Sequence, residues 1–168
     1  MRHLQSLLLL LFVLVACMEQ KETEQPTPTA SVDVVLQGWH KAAATGDFEG
    51  YFNYFEDSAS IFIGTDATER WTVAQFAPWA KPAFADGKAW DFTAFNRHIY
   101  YSDDKTLAWF DEELDTPNLG LCRGTGVLKL VGTEWKIVHY NLAVPVPNEI
   151  VNDVRDSILA LDSLKTTQ

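Results

Sequence analysis

The sequence predicts an α+β domain, with helices first and a curved antiparallel sheet afterwards. Three observations predict it. Apolar residues recur at helical spacing between Val32 and Phe84, the period changes to two from Ala89 onward, and short turn-rich links join the alternating runs. Consecutive strands joined by short links pair antiparallel, because a parallel pair needs a long crossover.

The first helix is read from Ser31 as cap and from Val32, Val35, Leu36, Trp39 and Ala43, until Thr45 and Gly46 stop the pattern. Asp47 caps a second helix, in which Phe48, Tyr51, Phe52 and Phe55 form one apolar stripe of core type. A short strand, 58–64, then leads into the loop GTDATERW, residues 64–71. Thr72 and Gln75 have the spacing of a capping box for a third helix, with Phe76, Trp79, Ala80 and Phe84 on its inner side. Pro78 and Pro82 each remove a backbone donor, so this helix is expected to kink or break before Gly87. Four strands follow, over 89–101, 106–114, 123–131 and 134–144, with turns at 102–105, 116–120 and 132–133. Pro145 and Pro147 end the last strand, and Asn148 is placed to cap a terminal helix carrying Ile150, Val154, Ile158 and Leu161 on one side.

The amino-terminal segment concerns address. Arg2 and His3 precede an apolar run from Leu7 to Val15, too short to span a bilayer and ordered as in a secretory signal. The quartet Leu14, Val15, Ala16, Cys17 resembles the lipobox of bacterial lipoproteins, which implies cleavage before Cys17 and acylation of its thiol and new amino terminus. Several acyl chains make a lasting anchor, at about 0.8 kcal/mol per buried methylene. Met18 stands where an aspartate would retain some lipoproteins in the inner membrane, which favours the outer membrane in an organism that has two. The expected organisation is a signal peptide over 1–16, a lipidated Cys17 and disordered tether over 17–31, a domain over 32–148, and a terminal helix and tail over 149–168. The domain is expected to face the periplasm or the exterior.

The formal charge of −10 becomes −11 once cleavage removes Arg2, the one charged residue among 1–16. Nucleic acid is thereby disfavoured as a partner, since binding it requires basic clusters that displace counterions. With Cys17 acylated only Cys122 remains, which excludes an internal disulfide and leaves Cys122 as a buried thiol. His98, His139 and Asp111 lack a short metal-ligand spacing, so neither a metal nor a cofactor is expected.

The words FIGTDATERW, AWFDEELDTPN, CRGTGVLKL and EWKIVHYNLAVPVPN, in this order, resemble the SnoaL-like branch of the nuclear transport factor 2-like superfamily. The resemblance implies a cone-shaped fold, with the amino-terminal helices packed in a strongly bent sheet around a cavity, and dimerisation through the sheet's outer surface. It does not imply one function, because the same cone serves ketosteroid isomerases, polyketide cyclases, dehydratases, ligand binders and assembly modules.

Strand parity sorts the polar residues. In the last strand Trp135, Ile137, His139, Asn141 and Ala143 share the better core face, which points His139 and Asn141 at the cavity. In the second meander strand both faces are mixed, so parity leaves open which of Asp111 and Glu113 faces inward. His98 aligns with Trp90 and Phe92. Asp111, Glu113 and His139 are the candidate acid and base groups, since a carboxylate desolvated among aromatics is raised toward neutrality. Asp66, Glu69, Arg70, Trp71, Trp90, His98, Trp109, Arg123 and Asn141 complete the candidate pocket. Each also has a plain structural reading as a buried hydrogen bond or an ion pair, with Arg70 or Arg123 the natural partners of Glu69, Asp111 and Glu113. Arg70 is expected to pair with Asp111 or Glu113 across the cavity mouth, while Trp71 turns inward.

These features support a lipid-anchored envelope protein whose cone binds a small, partly apolar molecule. The alternatives are an isomerase, cyclase or lyase acting by proton transfer, and a dimeric interaction module whose cone is filled by its own side chains. Val127, Val138, Tyr140 and Leu142 are expected to face outward as part of a homodimer interface.

Overall fold

The structure, a computed structural model, describes residues 26–166. The signal segment, Cys17 and the first part of the tether lie outside the described residues. Helix α1, Val32–Ala44, starts at Ser31, whose hydroxyl accepts from the Val34 N–H at 3.3 Å. Thr45 closes it by donating to the Lys41 carbonyl, and Gly46 then turns the chain with φ 69°. In α2, Phe48–Asn53, the Asp47 carboxylate accepts from the Gly50 N–H at 2.9 Å. These are the caps that local sequence specifies.

Strand β1, Ile61–Ile63, is followed by a turn and by a strand the sequence reading took as connector: β2, Arg70–Thr72, antiparallel to β1 with Phe62 opposite Trp71. Helix α3, Val73–Ala85, begins where the Gln75 side chain accepts from the Thr72 N–H at 2.9 Å. It runs through Pro78 and Pro82 as one element, against the expected break. Buried Val73, Phe76, Ala80 and Phe84 hold it to the core, which offsets the two missing backbone donors.

The strands β3 Thr93–Tyr101, β4 Leu107–Thr116, β5 Gly120–Val131 and β6 Glu134–Ala143 complete a six-stranded sheet of order β2-β1-β6-β5-β4-β3. All pairs are antiparallel except β1 with β6, which is parallel because α3 and the β3–β5 meander separate them in the chain. Two bulges bend the sheet and decide which side chains enter the cone. In β6, Val127 pairs with His139 but Leu128 with Ile137, so Val138 is the extra residue. In β3, Phe95 pairs with Glu113 and His98 with Asp111, leaving Asn96 and Arg97 opposite Glu112 alone, with Asn96 at φ 46°.

The inner face carries Phe110, Glu112 and Leu114 of β4, Cys122 and Leu128 of β5, and Trp135, Ile137, Tyr140 and Leu142 of β6, all buried against α1 and α3. Gly124 and Gly126 of β5 leave room there: a methyl group at Gly124 would meet the Tyr140 hydroxyl at 2.8 Å and the Glu112 carboxylate at 3.0 Å. The end of the tether is docked, with Thr29 donating to the Thr133 carbonyl at the β5–β6 turn. Helix α4, Val151–Thr166, starts three residues after the expected cap at Asn148, and its Ile158, Leu159 and Leu161 are exposed.

Candidate functional site

A cavity of about 250 Å³ opens between the inner face of the sheet, α1 and α3. Aromatic rings dominate its wall: Trp39 and Tyr51 from the first two helices, Phe76 and Trp79 from α3, and Phe62, Trp71 and Tyr140 from the strands, with Trp90 and Phe92 from the approach to β3. Phe62 stacks on Phe76 at 3.9 Å between centroids and 10° between planes, and Trp71 lies 5.4 Å from Phe76 and 4.9 Å from Trp79. Such offset ring packing makes a preformed apolar wall.

Three buried polar atoms of wall residues have no hydrogen-bond partner among the described residues: Trp39 Nε1 and the hydroxyls of Tyr51 and Tyr140. Burial raises the Tyr51 phenol well above its usual pKa and Tyr140 adds to the effect, while the Trp90 and Trp39 indole N–H groups, turned toward its oxygen but outside good hydrogen-bond geometry, pull the other way. Burial likewise raises Tyr140, with Glu112 and Cys122 adding to it. Both phenols are therefore neutral O–H donors across the physiological range. A buried donor left unpaired costs roughly 1–3 kcal/mol, and all three belong to residues that line one cavity.

Behind Tyr140 lies a second polar group with the opposite character. His40 Nε2 is 2.7 Å from Glu112 Oε1, and Arg97 Nε donates to Glu112 Oε2 at 2.7 Å. Arg97 Nη1 reaches Asp33 at 2.6 Å, while Nη2 sits 2.6 Å from Glu112 Oε2 without hydrogen-bond alignment. The glutamate is fully buried, and this chain of pairs ties α1 to β3 and β4.

The structure brings Glu69, Trp71 and Trp90 to the cavity wall and places the other sequence candidates elsewhere. Asp66 sits in an exposed turn, where the Thr68 hydroxyl and N–H donate to it at 2.6 and 2.8 Å and lower its pKa. Arg70 is exposed on the outer side of edge strand β2, separated by β1, β6 and β5 from Asp111 and Glu113, so the expected pair across the mouth does not form. Asp111, Glu113 and Trp109 face outward, because β4 turns Ala108, Phe110, Glu112 and Leu114 to the core. His98 lies on that outer face as well, moved there by the β3 bulge, with Nδ1 at 3.1 Å from Asp111.

His139 and Asn141 also face outward: the extra residue at Val138 reverses the parity of everything after it. For the same reason Tyr140 and Leu142, expected on the outer surface, are buried inside. Arg123, opposite Glu113 in register, is exposed on the outer face. Asn96 donates to Glu113 there at 3.3 Å.

Sequence reasoning missed Trp39, Tyr51 and Tyr140 as cavity residues and the whole His40–Glu112–Arg97–Asp33 chain. One signal was available: His40 follows Leu36 by four residues on the buried side of α1. Glu112 carried another, as the lone charge among Ala108, Phe110 and Leu114 at alternate positions. Among the described residues no group of three or more His, Cys, Asp or Glu side chains is disposed to hold a metal ion.

Residues 32–147 match the SnoaL-like domain family. The chain belongs to this family. Among solved structures it resembles an NTF2-like protein of unknown function from Pseudomonas putida KT2440, at 13% identity over 70% of this chain and 87% of that one, with a TM-score of 0.59. A candidate dehydratase of the NTF2-like family from Streptomyces avermitilis aligns at 14% identity over 69% and 94%, TM-score 0.58. An NTF-2 like protein of unknown function from Shewanella oneidensis MR-1 aligns at 14% over 67% and 95%, TM-score 0.57. At these identities the likeness establishes the fold. No curated protein matches the chain.

Proposed function

We propose that this SnoaL-like domain binds a small, largely apolar molecule in its aromatic cavity. The observation that carries the reading is the trio of unpartnered donors, Trp39 Nε1, Tyr51 and Tyr140, on residues of an otherwise apolar wall. A ligand with an acceptor group, such as a carbonyl or ether oxygen, satisfies them while its body covers the rings. A volume of about 250 Å³ suits a molecule smaller than a typical drug. Catalysis by proton transfer has less support, since Asp111, Glu113 and His139 face away from the cavity.

The address follows from the lipobox-like quartet: acylation at Cys17 anchors the chain to an envelope membrane, the outer one where two exist, with the domain facing periplasm or exterior. Assembly as a homodimer is supported by the outer sheet face. Tyr100 and Trp109 stack there at 6.0 Å between centroids while each remains 45% or more exposed, and Val127 lies opposite Trp109 in register with His139 beyond it.

Native mass spectrometry of the full chain, extracted from membranes in mild detergent, tests all three parts in one measurement. The expected spectrum shows a dimer, acyl additions on each chain and a copurified small molecule that Tyr140→Phe loosens. An unacylated chain refutes the anchor, a monomer refutes the dimer, and a ligand held equally by wild type and by the Tyr51→Phe, Tyr140→Phe double variant refutes the donor site.

A further inference from the structure

The charge around the cavity narrows the ligand class. Among the described residues no Lys, Arg or His lines it, and the only ionisable carboxylate in the wall is Glu69, at the mouth beside Gly64 and Thr65. One Glu69 oxygen accepts from the Asp66 N–H at 3.1 Å, and the other takes no hydrogen bond from the described chain. Next to it stands Trp71, tilted 31° against the ring of Trp79, which is 58% exposed at the rim. Trp79 thus carries the ring wall from the cavity out to solvent. Indole faces attract cations through their quadrupole, most strongly where water is partly displaced, and a carboxylate beside them adds to the attraction.

Resting on the binding role proposed above, we infer that the ligand is an organic cation, with an ammonium group seated at the mouth over the Trp71 and Trp79 faces and beside Glu69. An anion is disfavoured on two counts: it meets no counter-charge in the wall, and it approaches Glu69. A neutral ligand uses the rings and the donors but leaves the second Glu69 oxygen unengaged.

Three probes that share a benzyl group separate these cases: benzyltrimethylammonium, its uncharged carbon isostere neopentylbenzene, and the anion phenylacetate. Binding to the full domain is read from the tryptophan indole N–H signals by NMR titration. The ammonium probe is expected to bind about fivefold to thirtyfold tighter than the neutral isostere, as cation attraction to indole faces predicts. Phenylacetate is expected to be the weakest. Glu69→Gln, which keeps an oxygen for the Asp66 N–H, is expected to remove most of the difference without changing the binding of neopentylbenzene. Equal or tighter binding of the neutral probe overturns the charge assignment and leaves the cavity as a binding site. Tightest binding by phenylacetate overturns the charge assignment too. If none of the probes shifts an indole signal, the cavity itself is not a binding site and both readings fall.

Discussion

Two buried polar regions meet at Tyr140, and they treat desolvation in opposite ways. On the α1 side, Glu112, Arg97, His40 and Asp33 answer one another's charges, and only Arg97 Nη2, 2.6 Å from Glu112, lacks an aligned hydrogen bond. On the cavity side, Trp39, Tyr51 and Tyr140 leave their donors unanswered within the described chain. A region whose charges are paired within the chain holds the fold together. A region of neutral donors left unpaired is open to something from outside, at a standing cost to stability. The contrast lies in what supplies the partner rather than in residue type, and it reverses the sequence-based ranking, which favoured carboxylates and histidines.

The largest effect is expected on the closed side. Arg97→Met strands the fully buried Glu112 carboxylate and releases Asp33 on α1, so it should lower stability in urea unfolding by about 3–5 kcal/mol, the range for breaking a buried ion pair from one side. A loss under about 1 kcal/mol would show that the chain of pairs contributes little, and that the closed region is no firmer than the open one. Tyr140→Phe sharpens the contrast from the other side: deleting a buried hydroxyl without a partner should leave stability unchanged or raise it by about 1 kcal/mol.

What the sequence made legible follows from the range of the forces involved. The caps at Ser31 and Asp47, the Thr72–Gln75 contact and the turn at Gly132–Thr133 depend on residues within four positions of one another, and all lie at the ends of the expected elements. Strand existence was legible from alternation. Facing was not, because a bulge such as Val138 is set by how β6 registers against β5, and the sequence alternates smoothly through it. One extra residue moved His139 and Asn141 out of the cone and brought Tyr140 in, which is why Tyr140 escaped notice, whereas Trp39 and Tyr51 sit on helix faces that read as ordinary core. Strand β2 was missed for a similar reason: three residues carry too little pattern, and only their pairing with Ile61–Ile63 makes them a strand.

A smaller effect is expected at alkaline pH. The folded pKa values of Tyr51 and Tyr140 are both raised well above the ordinary 10.0, so the unfolded chain releases these protons first. Stability linked to them is therefore fully present below about pH 10 and falls as pH rises through the folded values. Tyrosinate absorbance should show two of the five tyrosines titrating only together with unfolding. Tyr51→Phe should leave one. Five tyrosines titrating together near the ordinary value in the folded protein would mean that the cavity is wet, and that its donors are already answered by solvent.

The smallest effect belongs to Asp66, a polar group that is neither buried nor unpaired. Its carboxylate is fully exposed and takes two bonds from Thr68, which lower its pKa in the folded state. A lowered carboxylate contributes stability above its unfolded pKa and loses it as pH falls through the folded value. Asp66→Asn should therefore reduce the melting temperature slightly at neutral pH, with the difference closing below about pH 4 as the wild-type carboxylate protonates. Because the side chain points away from the cavity wall, binding of a probe there should be unchanged, whereas Glu69→Gln three positions on should alter it. A fall in probe affinity with Asp66→Asn as large as that with Glu69→Gln would mean that the turn acts on the mouth as a unit. The boundary between exposed loop and binding wall would then lie before Asp66 rather than at Glu69.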